Sequence, residues 1–259
     1  MPVQLPADLL GMLAIVCPLC FFAGFVDAIG GGGGLISLPA FHLAGLPPKL
    51  MAGTNKLSAS VGTLIAVRQF MRGEHVLWRF ALPAVALALP GSWLGTTLLN
   101  ALPDRQILRM LALLMPMAAA VVLLRRGSLK PLVALPGAAL PFVCAATGLV
   151  IGFYDGLVGP GTGTFLILAF ALVMGIDPVS ASGTAKVVNL ASNLASVVTQ
   201  IASGHVVFAL GLPAAAFSAV GGALGARMAM RGGARVIRAM MLGVMVLLLA
   251  TLAGEAFFS

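Results

Sequence analysis

Two lysines and two aspartates lie inside otherwise apolar stretches of the sequence, and their types suit them for chemistry. Asp27 and Lys56 belong to the first half of the chain, and Asp155 and Lys186 belong to the second. A charged side chain inside a membrane segment costs at least about 2–3 kcal/mol on insertion scales, so it normally faces a cavity or a partner. Two ammonium groups placed in this way favour an anion site.

The four charged residues belong to an internal repeat. The stretch 24–27 (Gly-Phe-Val-Asp) recurs 128 residues later as 152–155 (Gly-Phe-Tyr-Asp), and 53–56 (Gly-Thr-Asn-Lys) recurs 130 residues later as 183–186 (Gly-Thr-Ala-Lys). Chance glycine matches are common in Gly-rich membrane helices, but paired lysines and aspartates in apolar sequence are not. The repeat predicts two units, residues 1–126 and residues 127–259.

The composition places these units in a membrane. Of the 259 residues, 60% are hydrophobic and 8% are charged, whereas soluble domains carry about 25% charged residues. A membrane helix needs roughly 20 apolar residues, so the chain has room for eight to ten spans. The net charge of +8 comes from short basic loops, which orient a chain in the lipid bilayer and indicate no nucleic-acid partner.

The sequence therefore predicts an all-α polytopic membrane protein with five apolar segments in each half. The predicted segments are 7–29, 34–46, 50–67, 80–100 and 107–124, then 132–155, 162–176, 179–201, 206–230 and 236–254. The second segment of each half is short and follows a glycine-rich stretch, 30–34 in one half and 159–163 in the other.

Charge placement indicates how the segments are oriented. If all ten cross the membrane, ten loop Lys and Arg residues fall on one side and three on the other, whereas the split is six to seven if the short segments do not cross. Cytoplasmic loops carry the Lys/Arg excess, so we expect ten spans in the cell membrane, with both termini on the non-cytoplasmic side. Five spans per half make the second half inverted.

Inverted repeats with interrupted helices are typical of secondary transporters, whose site lies near the membrane midplane between the repeats. An interrupted helix exposes backbone N–H groups and a positive dipole end to a ligand. The sequence predicts these substrate-binding residues: Gly32, Gly33, Thr54, Asn55, Lys56, Gly161, Thr162, Thr184, Lys186, Asn189 and Asn193. Thr184, Asn189 and Asn193 are expected to share one helix face.

Several assignments stay open at this level. Lys56 and Lys186 would alternatively be lysines that reach the membrane surface, and the Thr and Asn residues would alternatively join helices by hydrogen bonds. Asp27 and Asp155 either couple transport to a proton or hold the interrupted backbone, and either would also pair with the lysines. No zinc-ligand spacing and no catalytic triad is recognisable, so we expect no metal, no cofactor and no enzyme.

The sequence resembles the sulfite exporter TauE/SafE family, also called the toluene sulfonate uptake permease family. The resemblance covers nearly the whole chain and rests on the stretches 24–39, 45–56, 152–165 and 181–193. It implies a transporter in the cytoplasmic membrane for sulfur-containing or carboxylate anions, such as sulfite, sulfoacetate or related sulfonates. Family members are described with seven or eight spans, which differs from the ten predicted here.

The function predicted from the sequence is thus secondary transport of a small anion, with a proton or a sodium ion as coupling ion. Two alternatives remain: a passive anion channel, and a membrane-embedded component of a sulfur-metabolism complex.

Overall fold

The computed structural model describes residues 9–110 and 136–258, and every regular element among these residues is a helix. The first half contains α1 (Leu9–Gly30), α2 (Gly34–Leu43), α3 (Pro48–Arg72) and α4 (Trp78–Ala101), followed by a helical stretch over 104–110. The second half contains α5 (Leu140–Leu157), α6 (Thr162–Leu168) with a π-helical turn (Ala169–Val173), α7 (Pro178–Ala202) and α8 (Phe208–Phe258).

The helix bounds follow the predicted segments closely. The predicted segments 206–230 and 236–254 appear as the two parts of α8, which is interrupted at Gly233 by a φ of 59° and a ψ of −153°. Most of the predicted segment 107–124 and the start of 132–155 lie outside the described residues, so the structure tests neither.

Four helices in the described part of the chain are long and apolar enough to cross a membrane. They are Leu9–Gly30, Trp78–Ala101, Leu140–Leu157 and the stretch Phe208–Met240 of α8. Helices α3 and α7 have 25 residues each, about 37 Å at helical rise, and they carry most of the buried polar side chains. Helix α2 has ten residues, about 15 Å, which is half of a hydrocarbon core of about 30 Å.

Each short helix folds back along the helix before it. In the second half, the Tyr154 and Phe165 rings lie edge to face with centroids 5.4 Å apart, and Cys144 Sγ lies 3.5 Å from Met174 Sδ. These contacts pair both ends of α5 with both ends of the α6 region in antiparallel order. In the first half, Gly33 at the tip lies against Ala23 of α1, and Phe41 near the end of α2 shares a buried apolar cluster with Met12 near the start of α1. Both halves therefore contain an antiparallel helical hairpin.

Helices α3 and α7 pack against each other in antiparallel order at the centre of the molecule. Gly53 near the start of α3 lies against the backbone of His205, and Gly183 near the start of α7 lies against the backbone of His75. These contacts define two ends of the molecule, which we name the His75 end and the His205 end. At the His75 end, Gly73 also lies against Met230.

Small residues let the outer helices approach the hairpins. Gly148, Gly152 and Gly156 of α5 lie against the backbone of α4, where a Cβ at Gly152 would lie 2.7 Å from the Ala88 carbonyl oxygen. Glycines four residues apart form a flat stripe on a helix, a common packing surface in membranes. Gly221 of α8 lies against α1 in the same way, so each hairpin packs against an outer helix of the other half.

Candidate functional site

Two ion pairs lie at the centre of the molecule, and each joins the two halves of the chain. Lys56 Nζ lies 2.8 Å from Asp155 Oδ2, and Lys186 Nζ lies 2.8 Å from Asp27 Oδ2. Each lysine is eight residues beyond the start of its helix, and each aspartate stands near the end of a hairpin's first helix. The lysines therefore pair with the aspartates, as one of the sequence alternatives predicts, and both pairs connect opposite halves.

The tips of the two hairpins meet beside these ion pairs. Gly31 and Gly32 have positive φ values of 75° and 95°, and Gly161 has a φ of 85°, which is backbone that glycine adopts without strain. A Cβ at Gly31 would overlap the backbone of Gly163, and Thr164 Oγ1 donates a 2.8 Å hydrogen bond to the Gly30 carbonyl. The two glycine-rich turns are thus in direct contact.

A central cavity lies between the hairpin tips, α3 and α7, with about 540 Å³ of empty volume including its opening. Its lining comes from both halves. Of the predicted residues, those that line it are Asp27, Gly32, Gly33, Asn55, Lys56, Asp155, Gly161, Thr162, Asn189 and Asn193.

The two lysines differ in their access to this cavity. Lys56 lines it, donates a 3.0 Å hydrogen bond to Asn193 Oδ1 and leaves 8% of its side chain exposed. Lys186 does not line it, and its side chain is fully buried against Asp27. Lys56 is therefore the ammonium group in contact with the cavity.

The two aspartates differ in the opposite sense. Asp155 is 3% exposed and accepts a 2.6 Å hydrogen bond from Ser192 Oγ in addition to its ion pair. Asp27 is 20% exposed and lies 3.4 Å from the Gly33 backbone nitrogen, which donates to Oδ1. The cavity is thus lined by both carboxylates and one ammonium group, and the more exposed carboxylate, Asp27, belongs to the pair whose lysine does not line it.

Two predicted residues hold the ends of the helix pair and do not line the cavity. Thr54 Oγ1 accepts a 3.1 Å hydrogen bond from the Val207 backbone N–H, and Thr184 Oγ1 accepts one of the same length from Leu77. Thr184 therefore does not share the cavity-facing side of α7 with Asn189 and Asn193. Thr184 stands five residues before Asn189, about 140° round the helix at 3.6 residues per turn, and its hydroxyl is bonded to the loop before α4.

The sequence prediction missed several polar residues near the site. Thr63, Ser37 and Ser218 line the central cavity, and Ser196 and Gln200 lie close to it on α7. Gln200 could have been predicted from the sequence, because it is an amide residue inside an apolar segment. The structure buries it fully. The hydroxyl residues could not have been predicted, since Ser and Thr commonly bond backbone within membrane helices.

Comparison with known proteins agrees with the resemblance noted in the sequence. Residues 16–252 match the family model described as "Sulfite exporter TauE/SafE". A probable membrane transporter protein from Haemophilus influenzae is 36% identical over 88% of this chain and 89% of its own length. The probable membrane transporter protein YfcA from Escherichia coli K12 is 34% identical over 94% of this chain and 89% of its own.

A third relative, the probable membrane transporter protein ORF9 from a Sinorhizobium species, is 34% identical over 92% of this chain and 90% of its own length. No solved structure matches the chain. Because the family model and the relatives cover nearly the whole sequence, the chain belongs to the sulfite exporter TauE/SafE family of membrane transporters.

Proposed function

We propose that the protein is a secondary transporter of a small anion, sulfur-containing or carboxylate, and that the anion binds in the central cavity at Lys56. The observation that carries the proposal is the two ion pairs at the hairpin tips, in each of which a lysine pairs with the aspartate of the other half. Lys56 is the ammonium group that lines the cavity, and Asn55, Asn189 and Asn193 supply amide groups around it. An oxyanion takes hydrogen bonds from ammonium and amide donors.

The charges of the cluster indicate how an anion is accommodated. Two lysines and two aspartates give a formal sum of zero, so a bound anion would leave a net negative charge in a buried site. Such a charge is costly unless it is compensated. A proton or a sodium ion that enters with the anion restores neutrality, and Asp27, with its partly exposed carboxylate, is the group placed to receive it.

We further propose that the halves are inverted repeats about this cavity. The antiparallel order of α3 and α7 supports the inversion, as does the recurrence of the Lys–Asp and Thr–backbone contacts with the halves exchanged. If each hairpin, α1–α2 and α5–α6, returns to the side of the membrane from which it entered, every loop lies on the same side as in the ten-span arrangement. The charge argument then holds with fewer full crossings.

A transporter needs the site to open toward each side in turn, and inverted halves supply two related arrangements of one site. Both ion pairs bridge the halves, so a rocking motion of one half against the other would lengthen the ion pair between Lys56 and Asp155. The anion could then take the place of the Asp155 carboxylate at Lys56. The proposed orientation places the His75 end, with its basic loops, in the cytoplasm and both termini outside it.

A thermal-shift panel on the purified protein tests the substrate class. A ligand that binds the folded state stabilises it by mass action, and the stabilisation grows with ligand concentration. Sulfite, thiosulfate, sulfonates and carboxylates form the panel. We expect at least one anion to raise the unfolding temperature of the native protein but not of Lys56→Gln, while Lys49→Gln, a lysine of the same helix outside the cavity, retains the response. An equal response from Lys56→Gln would contradict the proposed site.

A further inference from the structure

A second, smaller cavity lies on the other side of the Lys56–Asp155 pair from the central cavity. Asn55, Lys56 and Asp155 border both cavities. The other polar residues of the smaller cavity are Ser196 and Gln200, which lie on α7 between the ion pair and the His205 end. The ion pair thus stands between the central cavity and a pocket that leads toward one end of the molecule.

Two polar atoms of this pocket have no hydrogen-bond partner. Among the residues that the structure describes, Asn55 Oδ1 and Gln200 Nε2 are the buried side-chain atoms left unpaired. The first is an acceptor and the second a donor, and both side chains are more than nine-tenths buried. An unpaired buried polar group costs about 1–3 kcal/mol, and a polar pocket with several partners is where water binds inside proteins.

Beside the other ion pair, three of the matching positions carry buried apolar side chains. A shift of 130 residues replaces Asn55 by Ala185 and Gln200 by Phe70, and it relates Ser196 to Ala66. Ala66, Phe70 and Ala185 are at most 1% exposed and belong to one buried apolar cluster. The two ends of the molecule therefore differ where the repeat would make them alike.

We propose that the smaller cavity is the hydrated inner end of a passage from the His205 end to Lys56, and that Phe70 closes the corresponding passage at the His75 end. Asn55 and Gln200 are its polar lining, and water is the ligand that satisfies both unpaired atoms. Gln200 Oε1 lies 3.2 Å from His205 Nδ1, which places the passage next to the loop at the His205 end. The inference rests on the chain being a transporter, and it does not depend on the charge of the substrate.

Thiol accessibility at two repeat-related positions tests the passage. The native cysteines, Cys17, Cys20 and Cys144, are replaced by alanine, and a single cysteine is introduced as Asn55→Cys or as Ala185→Cys. A small membrane-impermeant methanethiosulfonate is added to one side of sealed vesicles at a time, without substrate. We expect Asn55→Cys to react from the His205 end about tenfold faster than Ala185→Cys reacts from either side.

Exchanging the repeat-related residues tests which side chains open and close the passage. Gln200→Phe should slow the reaction of Asn55→Cys about tenfold, and Phe70→Gln should make Ala185→Cys reactive from the His75 end. The comparison of Asn55→Cys with Ala185→Cys needs neither exchange, so it decides the matter even if an exchanged variant does not fold. Equal reaction rates at the two cysteines, or reaction of Asn55→Cys from the His75 end alone, would overturn the passage. Either result would leave the anion proposal standing, because no anion takes part in the measurement.

Discussion

Lys56 Nζ and Asp155 Oδ2 lie 2.8 Å apart although the two residues are almost one hundred positions apart and belong to different halves of the chain. Lys186 and Asp27 have the same separation with the halves exchanged. Because each pair connects a long central helix of one half to the hairpin of the other, neither half can move far without changing both ion pairs.

Replacing one member of the buried Lys186–Asp27 pair should destabilise the protein more than replacing both. Removing one partner of a buried ion pair leaves an uncompensated charge and costs about 3–5 kcal/mol, whereas neutral replacement of both partners is often tolerated. We expect Lys186→Met to lower the unfolding temperature in detergent strongly. The double variant Lys186→Met with Asp27→Asn should recover most of the loss.

A thermal unfolding series of the native protein, both single variants and the double variant measures this coupling. Asp27→Asn alone should destabilise more than Lys186→Met, because it leaves the fully buried ammonium group uncompensated, whereas the carboxylate that Lys186→Met leaves is partly exposed. Additive effects of the two substitutions would mean that the residues do not interact in the folded protein.

Asp177 caps the N-terminus of α7 and should stabilise the protein in a pH-dependent way. Its Oδ1 accepts hydrogen bonds from the backbone N–H groups of Val179 and Ser180 at 3.1 and 3.0 Å. Burial alone would raise the pKa of Asp177, but the hydrogen bonds and the nearby His75 lower it below its ordinary value of 3.8. A carboxyl group with a depressed pKa stabilises the folded state above its unfolded pKa, and this contribution disappears as the pH falls through the folded pKa.

We therefore expect Asp177→Ala to cost about 0.5–2 kcal/mol at neutral pH, typical for loss of an N-cap. The difference from the native protein should shrink as the pH falls below the ordinary pKa of 3.8 toward the lower pKa of the folded state, where the native carboxyl group becomes protonated. A difference that stays constant down to pH 3 would show that the ionised cap does not stabilise α7.

Gly204, in the loop at the His205 end, should resist substitution because of its backbone alone. Its φ is 72°, and a Cβ there would meet no atom within 4 Å, so space is not the obstacle. An L-residue in the left-handed region is strained by roughly 1–2 kcal/mol. We expect Gly204→Ala to lower the unfolding temperature, whereas Gly137→Ala, at an equally open position without a positive φ, should not.

The loops at each end of the molecule should lie on opposite sides of the membrane. Glu74 and Arg231 are exposed at the His75 end, and Ser203 is exposed at the His205 end. In a background without native cysteines, a membrane-impermeant reagent added to intact cells should label Ser203→Cys but neither Glu74→Cys nor Arg231→Cys. Labelling of Glu74→Cys and Arg231→Cys from different sides would be incompatible with the inverted arrangement.

Much of the fold was predictable because membrane helices consist of long apolar runs that are visible in the sequence. The predicted segments 50–67, 80–100 and 179–201 correspond to α3, α4 and α7, with bounds that differ by at most five residues. The direction of α2 was not predictable, since a ten-residue apolar run does not reveal whether it continues or folds back along α1. The boundary of the two repeat units near residue 126 lies outside the described residues and stays a prediction.

The site was predictable in its residue types but not in its connections. Each lysine has an aspartate in its own half and another in the opposite half, and the repeat itself cannot distinguish these partners. The unequal access of Lys56 and Lys186 also has no local sequence signal, because both occupy the same position in matching helices. It depends on how side chains from several helices pack around each lysine.

The most direct measurement of the central claim is anion flux into proteoliposomes that contain the purified protein. Uptake of a labelled anion from the thermal-shift panel should saturate with concentration, accelerate when the same anion is loaded inside, and depend on an imposed proton or sodium gradient. Lys56→Gln should abolish this uptake while Lys49→Gln retains it. Flux that does not saturate and ignores internal anion would identify a channel, and undiminished exchange by Lys56→Gln would contradict the site described here.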